Sequence, residues 1–323
     1  MKIILVVGGA GYIGSHAVKM LLANGYQVVT LDNLSGGYRD AVVGGDFILG
    51  DISDPSCLKN LFNNYNFAGV MHFASFIQVG ESIENPGKYY QNNVAGTLNL
   101  LDIMVAHQVK NFIFSSTAAI FGEPQYIPID EQHAKQPINP YGLSKLMIEQ
   151  ILADYEHAYG LKSICLRYFN AAGADPEGQL GERHSPETHL IPLVLQVASG
   201  KREFISVFGQ DYDTPDGTCI RDYIHINDLC QAHLLALEKL LAGANSNAYN
   251  LGNGEGFSVN HVIEIAKQVT GKIIPVKLAK RRVGDPARLV ANSKQAQIEL
   301  NWRPKYTDLV KIITHAWQWE IRY

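Results

Sequence analysis

The chain has 323 residues, 46% hydrophobic and 18% charged, with a formal net charge of −4. That length suits two lobes rather than one small domain, and a chain of this size buries most of its surface without staples. The acidic balance argues against a broad nucleic-acid or membrane surface, and no apolar run approaches the ~20 residues of a membrane span. No charged-then-apolar leader precedes the first strand. Cys57, Cys165, Cys219 and Cys230 have no metal-ligand spacing, with one another or with a histidine cluster. The expectation is a reduced, cytoplasmic protein without a metal site.

The first segment, Ile3 to Val7, reads as a strand, and Gly8-Gly9-Ala10-Gly11-Tyr12-Ile13-Gly14 follows it. Glycines at 8, 11 and 14 allow a sharp turn and close approach by a ligand. The helix that opens near Tyr12 aims free N–H groups at that turn, which suits a pyrophosphate. Gln27 to Leu31 reads as a second strand ending at Asp32, eighteen positions after Gly14. An acid there accepts both adenosine ribose hydroxyls and repels a 2′-phosphate, so the expected cofactor is NAD rather than NADP.

Asn33 to Gly45 reads as loop, and Phe47 to Leu49 as a third strand. Asp51 either bonds the adenine amine or starts a turn. Pro55 to Tyr65 is a modest helix, and Gly69 to Phe73 a fourth strand ending at the small residues Ala74-Ser75. His72 is flanked by apolar residues and reads as a core histidine. Pro86 to Gln108 is a long helix interrupted by Asn92, Asn93 and Thr97, of which Asn92 is the candidate to serve a site.

Asn111 to Phe114 is a fifth strand running into Ser115-Ser116-Thr117, and the carboxyl end of a strand is where an open α/β sheet places its chemistry. After a proline-rich loop, Pro140-Tyr141-Gly142-Leu143-Ser144-Lys145 opens a helix reaching Tyr159. Tyr141 and Lys145 share a face. Tyrosine is a poor base at its usual pKa of about 10, but a nearby ammonium and a cationic nicotinamide favour the phenolate; lowering it by roughly 3 units takes about 4 kcal/mol. Ser163 to Phe169 is a sixth strand ending at Asn170. This alternation describes a Rossmann-type α/β fold, a doubly wound parallel sheet with helices on both faces. Beyond Ala174 the rhythm breaks. The expected division is 1–173 for the NAD-binding domain and 174–323 for a smaller mixed α/β substrate lobe, with about 219–250 packing back on the first domain.

With these motifs in place, the chain resembles the extended short-chain dehydrogenase/reductases that act on nucleotide sugars, and among them the 4-epimerases of UDP-hexoses. The likeness runs over nearly the whole chain. It rests on Gly8 to His16, Asp32-Asn33-Leu34, Gly50-Asp51-Ile52, His72-Phe73-Ala74, Tyr89 to Asn93, Phe114 to Thr117, Pro140 to Lys145, Arg167 to Asn170, Asp216 to His225 and Arg281 to Asp285. It implies interconversion of UDP-galactose and UDP-glucose through a 4-keto sugar, with hydride transfer to and from bound NAD. Tyr141 would be the base, Thr117 would hold the 4-oxygen, and Lys145 would hold the nicotinamide ribose. Cofactor contacts are implied for Gly8, Gly11, Tyr12, Ile13, Gly14, Asp32, Asn33, Asp51, Ile52, Phe73, Ala74, Asn92, Ser115 and Tyr168. For the UDP-sugar, Asn170 would touch the diphosphate, Leu190 and Phe208 the uracil, Arg221 and Arg282 the pyrophosphate, and Asp285 the ribose.

Leu289 stands where relatives carry either a bulky tyrosine or a smaller residue, which implies some turnover of UDP-N-acetylglucosamine. Ile77 replaces a lysine that some relatives place near the cofactor. Dehydration is disfavoured, because Ala118-Ala119 supplies no carboxylate pair for elimination. The rival expectations are a 4-epimerase of a UDP-pentose or UDP-uronate and, from another class, a dinucleotide sensor without turnover. The long helices 86–108 and 146–159 imply a homodimer through a four-helix contact.

Overall fold

The computed structural model describes residues 1–282 and 285–323. The chain begins with β1 (Ile3–Val7), α1 (Tyr12–Ala23), β2 (Gln27–Asp32), β3 (Asp46–Leu49), α2 (Pro55–Asn64) and β4 (Phe67–His72). Next come α3 (Val79–Glu84), α4 (Pro86–Tyr89), a π-turn over Tyr90–Gly96, α5 (Thr97–Ala106), β5 (Asn111–Thr117), α6 (Pro140–Tyr159) and β6 (Lys162–Tyr168). The remainder holds β7 (Asn170–Ala172), α7 (Leu190–Ala198), β8 (Ile205–Phe208), β9 (Ile220–Arg221), β10 (Tyr223–His225) and α8 (Ile226–Leu241). It ends with β11 (Asn247–Leu251), β12 (Phe257–Ser258), α9 (Val259–Thr270), β13 (Val276–Ala279), β14 (Arg288–Leu289), α10 (Lys294–Glu299) and α11 (Leu309–Glu320).

The main sheet has seven strands in the order β11-β6-β5-β4-β1-β2-β3, all pairs parallel. Runs such as Ile4-Leu5-Val6-Val7 are apolar at every position because both faces of the sheet are covered. One face packs Ala17, Val18 and Leu21 of α1 with Leu229, Ala236 and Leu237 of α8. The other packs Leu58 and Phe62 of α2, Leu101 and Met104 of α5, and Ile148 and Leu152 of α6. A third core joins α7, α9 and α11 around β8. Two-residue strands make the small sheet β12-β9-β14, and β13 pairs with β8.

From β1 the chain winds outward through β2 to β3, then crosses back to β4 on the other side of β1. A doubly wound sheet opens its ligand crevice at such a reversal, outside the carboxyl ends of the strands. Here those ends are Gly8 after β1 and Phe73-Ala74 after β4. Carboxylates tie the later segments down. Asp222 is fully buried and accepts the N–H groups of Asn253 (2.8 Å), Gly254 (3.0 Å) and Ala291 (3.1 Å). Asp228 accepts those of Lys305 (2.8 Å) and Tyr306 (2.7 Å). Among the described residues no helix is long and apolar enough to cross a membrane.

Candidate active site

The glycine turn is built for contact. Gly8 lies at φ +79°, and a Cβ there would stand 2.5 Å from the Ala74 nitrogen. A Cβ on Gly14 would stand 2.1 Å from the Gly8 carbonyl oxygen, so α1 can close on the turn only without a side chain. Gly11 precedes the first turn of α1 with no side chain capping it, which leaves the helix N–H groups of that turn facing the crevice. Asp32, at the end of β2, accepts Ala10 N and Leu34 N, each at 2.8 Å. Burial raises its pKa, and the two amide donors work against the rise. Each carboxylate oxygen keeps a lone pair for a ribose hydroxyl. A strand-end cradle that a Cβ would fill, next to a buried acid, fits a dinucleotide without a 2′-phosphate.

Other expected cofactor residues are placed less uniformly. Asn33 Nδ2 donates to Asp51 Oδ2 (2.6 Å), and Ser53 N donates to Asp51 Oδ1 (2.7 Å). Burial pushes Asp51 up, but these donors outweigh it and hold the carboxyl below its usual pKa. Asp51 thus starts a turn and pairs with Asn33 at the crevice edge. The Tyr12 hydroxyl donates to Gly173 O (2.7 Å), so its ring anchors α1 to the later chain. Ile52 is buried under Gly96, and half-buried Phe73 packs on His233. Ile13 is partly buried against the core beneath α1. His72 is in the core beside Phe112 and Phe114, and burial lowers its pKa to about 3.

The long helix expected over 86–108 runs from Pro86 to Ala106, with a π-helical stretch over Tyr90–Gly96 that brings polar groups inward. Buried Asn93 does most of the bonding. Its Oδ1 accepts Phe76 N (2.9 Å), and its Nδ2 donates to Phe76 O (3.1 Å) and Ser144 Oγ (3.1 Å). Asn92 donates to Asn93 Oδ1 at 2.9 Å and is half-buried. Asn93 therefore links the strand β4 exit to α6, a role that periodicity alone does not assign between two adjacent asparagines.

Asn139 caps α6, accepting Gly142 N at 2.8 Å, and Pro140 occupies the first helical turn, where its missing N–H costs nothing. This start sets Tyr141 against the end of β5. The Tyr141 ring hydroxyl is buried, which raises its pKa, and the neighbouring Thr117 hydroxyl opposes the rise. Tyr168 lies close by and its hydroxyl makes a short bond with Ser115 Oγ. Thr117 Oγ1 also accepts Ala119 N at 3.1 Å.

One turn further along α6, Lys145 is 2% exposed. Its ammonium donates to Ser75 Oγ and Ser115 O, both at 2.8 Å, and lies 4.9 Å from the Phe114 ring centroid. Burial without a carboxylate partner lowers its pKa to about 7. The sequence pairs Lys145 with a cationic nicotinamide to favour the phenolate; the protein's own side chains leave Tyr141 raised. Lys145 is spent on two strand ends, and Tyr141 is raised by burial. One ammonium donor remains for a ligand hydroxyl.

Beneath this surface, Arg167 Nε and Nη2 clasp Glu149 Oε1 and Oε2 at 2.9 and 2.7 Å, and Ser116 Oγ donates to Glu149 Oε1 at 2.7 Å. Both charged side chains are buried, at 4% and 7% exposure. The clasp fixes α6 to β5 and β6. Replacing Glu149 with alanine leaves Arg167 buried and unpaired, so chemical denaturation should show a loss of about 3–5 kcal/mol. A loss under ~1 kcal/mol would contradict this reading.

On the other wall, Arg221 binds Asp285 through Nη2 and Ile220 O through Nη1 (2.8 Å). Leu289 is the register partner of Arg221. Leu289 is partly buried against the apolar cluster of Ala118, Ile120, Phe121 and Ile129. Arg282 lies over the Phe208 ring, 4.1 Å from its centroid, and is exposed. Asn170 Nδ2 donates to Asp222 O at 3.0 Å. Leu190 is the first residue of α7 and packs with the third core. The structure thus pairs two expected substrate residues, Arg221 and Asp285, with each other, and two more, Arg282 and Phe208. Gly284 of the Arg281–Asp285 motif lies outside the described residues. Sequence reasoning missed Ser75, Asn93 and Glu149, whose partners are distant in the chain.

Residues 4–252 match the model of the NAD dependent epimerase/dehydratase family. The chain is 55% identical to the UDP-glucose 4-epimerase of Halalkalibacterium halodurans, over 98% of this chain and 95% of that one. It superposes on the UDP-glucose 4-epimerase of Bifidobacterium longum, solved with NAD+ and UDP, with TM-score 0.94 and 37% identity, covering 99% and 98% of the two chains. It also matches the UDP-Glc/GlcNAc 4-epimerase of Campylobacter jejuni at TM-score 0.87 and 44% identity, over the full length of both. With the glycine turn, the acid at Asp32 and the Thr117–Tyr141–Lys145 group on one crevice, the chain belongs to the NAD-dependent epimerase/dehydratase family.

Proposed function

We propose that this chain interconverts UDP-glucose and UDP-galactose at C4 of the hexose. The observation that carries this reading is the meeting of Tyr141, Thr117 and Lys145 at the strand ends beside the Gly8 cradle. NAD held by the glycine turn and Asp32 would supply both acceptor and donor for the C4 hydride, so the sugar would pass through a 4-ketone with no net redox change. Tyr141 removes the proton of the 4-hydroxyl and returns it after the sugar has turned over. Thr117 holds that oxygen within reach of Tyr141. Lys145 offers its remaining donor to the ribose next to the nicotinamide, and its charge stabilises the phenolate. No carboxylate follows Thr117, so water elimination has no proton shuttle.

Residues 1–173 supply the cofactor site, and 174–323 supply most of the nucleotide-sugar contacts. In that lobe Arg221 and Arg282 neutralise the pyrophosphate and Asp285 meets the uridine ribose, which requires Arg221 and Asp285 to exchange their mutual bond for substrate. Purified protein incubated with UDP-galactose, without added NAD, should yield UDP-glucose by NMR. If adding NAD gives no conversion either, the reading is overturned.

Leu289 packs against the cluster that follows Thr117, and leucine in place of a bulkier tyrosine leaves space for an N-acetyl group. UDP-N-acetylglucosamine should therefore be epimerised. Leu289→Tyr should reduce that activity by about 10-fold or more while sparing UDP-glucose, since pocket volume discriminates on this scale. Complete inactivity of the wild-type protein on the N-acetyl sugar would refute it.

We also infer a homodimer through α5 and α6. The Tyr155 hydroxyl bonds Asp102, aligning the two helices, and Leu98, Ile103, Met147 and Ile151 are only partly buried along them. Light scattering at micromolar concentration should give twice the chain mass; a monomer would contradict it.

A further inference from the structure

The segment between β7 and α7 carries a cluster that the epimerase reading does not use. Glu182, His184, Glu187 and His189 each present one ligand atom, and these atoms all lie within 4.8 Å of one another. His184 Nδ1 is 3.3 Å from Glu182 Oε1 and 3.4 Å from Glu187 Oε2. His189 Nδ1 touches Glu182 Oε1 and is 3.9 Å from Glu187 Oε1. A tetrahedral ion bound at about 2.0–2.2 Å by nitrogen and oxygen has ligand-to-ligand edges of roughly 3.3–3.6 Å. Two of these separations, 3.3 and 3.4 Å, match that edge length. Both glutamate side chains are only 5% exposed, so two carboxylate charges are confined together away from water.

We propose that Glu182, His184, Glu187 and His189 bind one divalent transition-metal cation of the zinc class. Two imidazoles and two carboxylates suit such an ion, and a dication balances the two acids while both imidazoles are neutral. Four protein ligands make the site closed, hence structural rather than catalytic. The surroundings are ordered as a support. Glu187 Oε1 accepts Thr188 N (2.7 Å) and His189 N (2.8 Å), and Glu182 O accepts the Trp319 indole N–H (3.1 Å). Between the ligands, Arg183 clasps Asp40 in the loop after β2, and the His184 ring meets the edge of Tyr12 at the start of α1. His189 is the residue before α7. The cation therefore ties the start of α7 to the cofactor-binding half of the molecule.

The alternative for these four side chains is a pair of imidazolium–carboxylate ion pairs, with no cation. Chelator-treated full-length protein titrated with Co²⁺ distinguishes the two. The proposal expects a saturable visible d–d absorption of tetrahedral intensity at one cation per chain, displaced by Zn²⁺, and a higher unfolding temperature with either ion. Glu182→Gln and His189→Ala should lose the absorption while keeping far-UV dichroism and NAD binding. Absence of a saturable band in the wild-type protein, or an unchanged band in both variants, overturns it. Should the variants fail to fold, X-ray absorption at the zinc edge of the wild-type protein decides: two imidazoles in the coordination shell support the site, and none overturns it.

Discussion

Tyr141→Phe is expected to lower turnover by about 10²–10⁴-fold while fold and cofactor content stay unchanged, the usual range for removing a positioned general base. Tyr141 sits in the first turn of α6, and among the described residues phenylalanine would forfeit only the phenol's contact with Thr117. Because burial raises the pKa of Tyr141, its phenolate must be supported by charge that arrives with cofactor and by Lys145. Activity should therefore fall as pH drops through the pKa of the tyrosine in the complex. Steady-state rates with UDP-galactose, beside spectroscopic measurement of bound cofactor, test this. A loss under about 10-fold would remove Tyr141 from the chemistry.

Lys145→Met should also cost at least about 10²-fold in turnover, and it should move the acidic limb of the pH–rate profile to higher pH. Lys145→Arg should not restore activity, because a planar guanidinium cannot take the place of a compact ammonium between Ser75 Oγ and Ser115 O. A stability effect of opposite sign accompanies this. The reference lysine pKa is about 10.4, and the folded value is lowered to about 7 by burial. Between those values the unfolded chain binds more protons, so stability contributed by this site rises with pH from about 7 to about 10. Below about 7 the cost of burying the charge is fully present. The methionine variant should lack that slope in cofactor-free denaturation curves; an identical slope in both proteins would mean that Lys145 is not the group responsible.

Much of the first half was legible because its signals are local. The apolar run before Gly8, the glycine spacing, and Asp32 at the end of the next strand all fall within about one βαβ unit, where pattern and contact coincide. The spacing of Tyr141 and Lys145 placed both on α6, yet their partners are Thr117 and Ser115 of β5 and Ser75 in the segment after β4, brought alongside only by the sheet. Periodicity marked Asn92, which is half-buried and donates to Asn93, and could not see that the π-helical stretch buries Asn93 beside it. The later chain was less readable. Two-residue strands such as β9 and β14 have no period, and β11 joins the main sheet beside β6 although roughly eighty residues separate them. Nor does the pattern Glu182-x-His184-x-x-Glu187-x-His189 follow helix or strand spacing, and a search centred on cysteine passes over it.

The central claim is that C4 is oxidised and reduced by one cofactor held in the crevice, with Tyr141 handling the proton. The most direct measurement follows deuterium placed at C4 of UDP-galactose through turnover in ordinary water. The account predicts UDP-glucose with the label retained at C4, because the hydride never meets solvent. Product that carries protium at C4 from the first turnovers would contradict it and require exchange with water at that carbon.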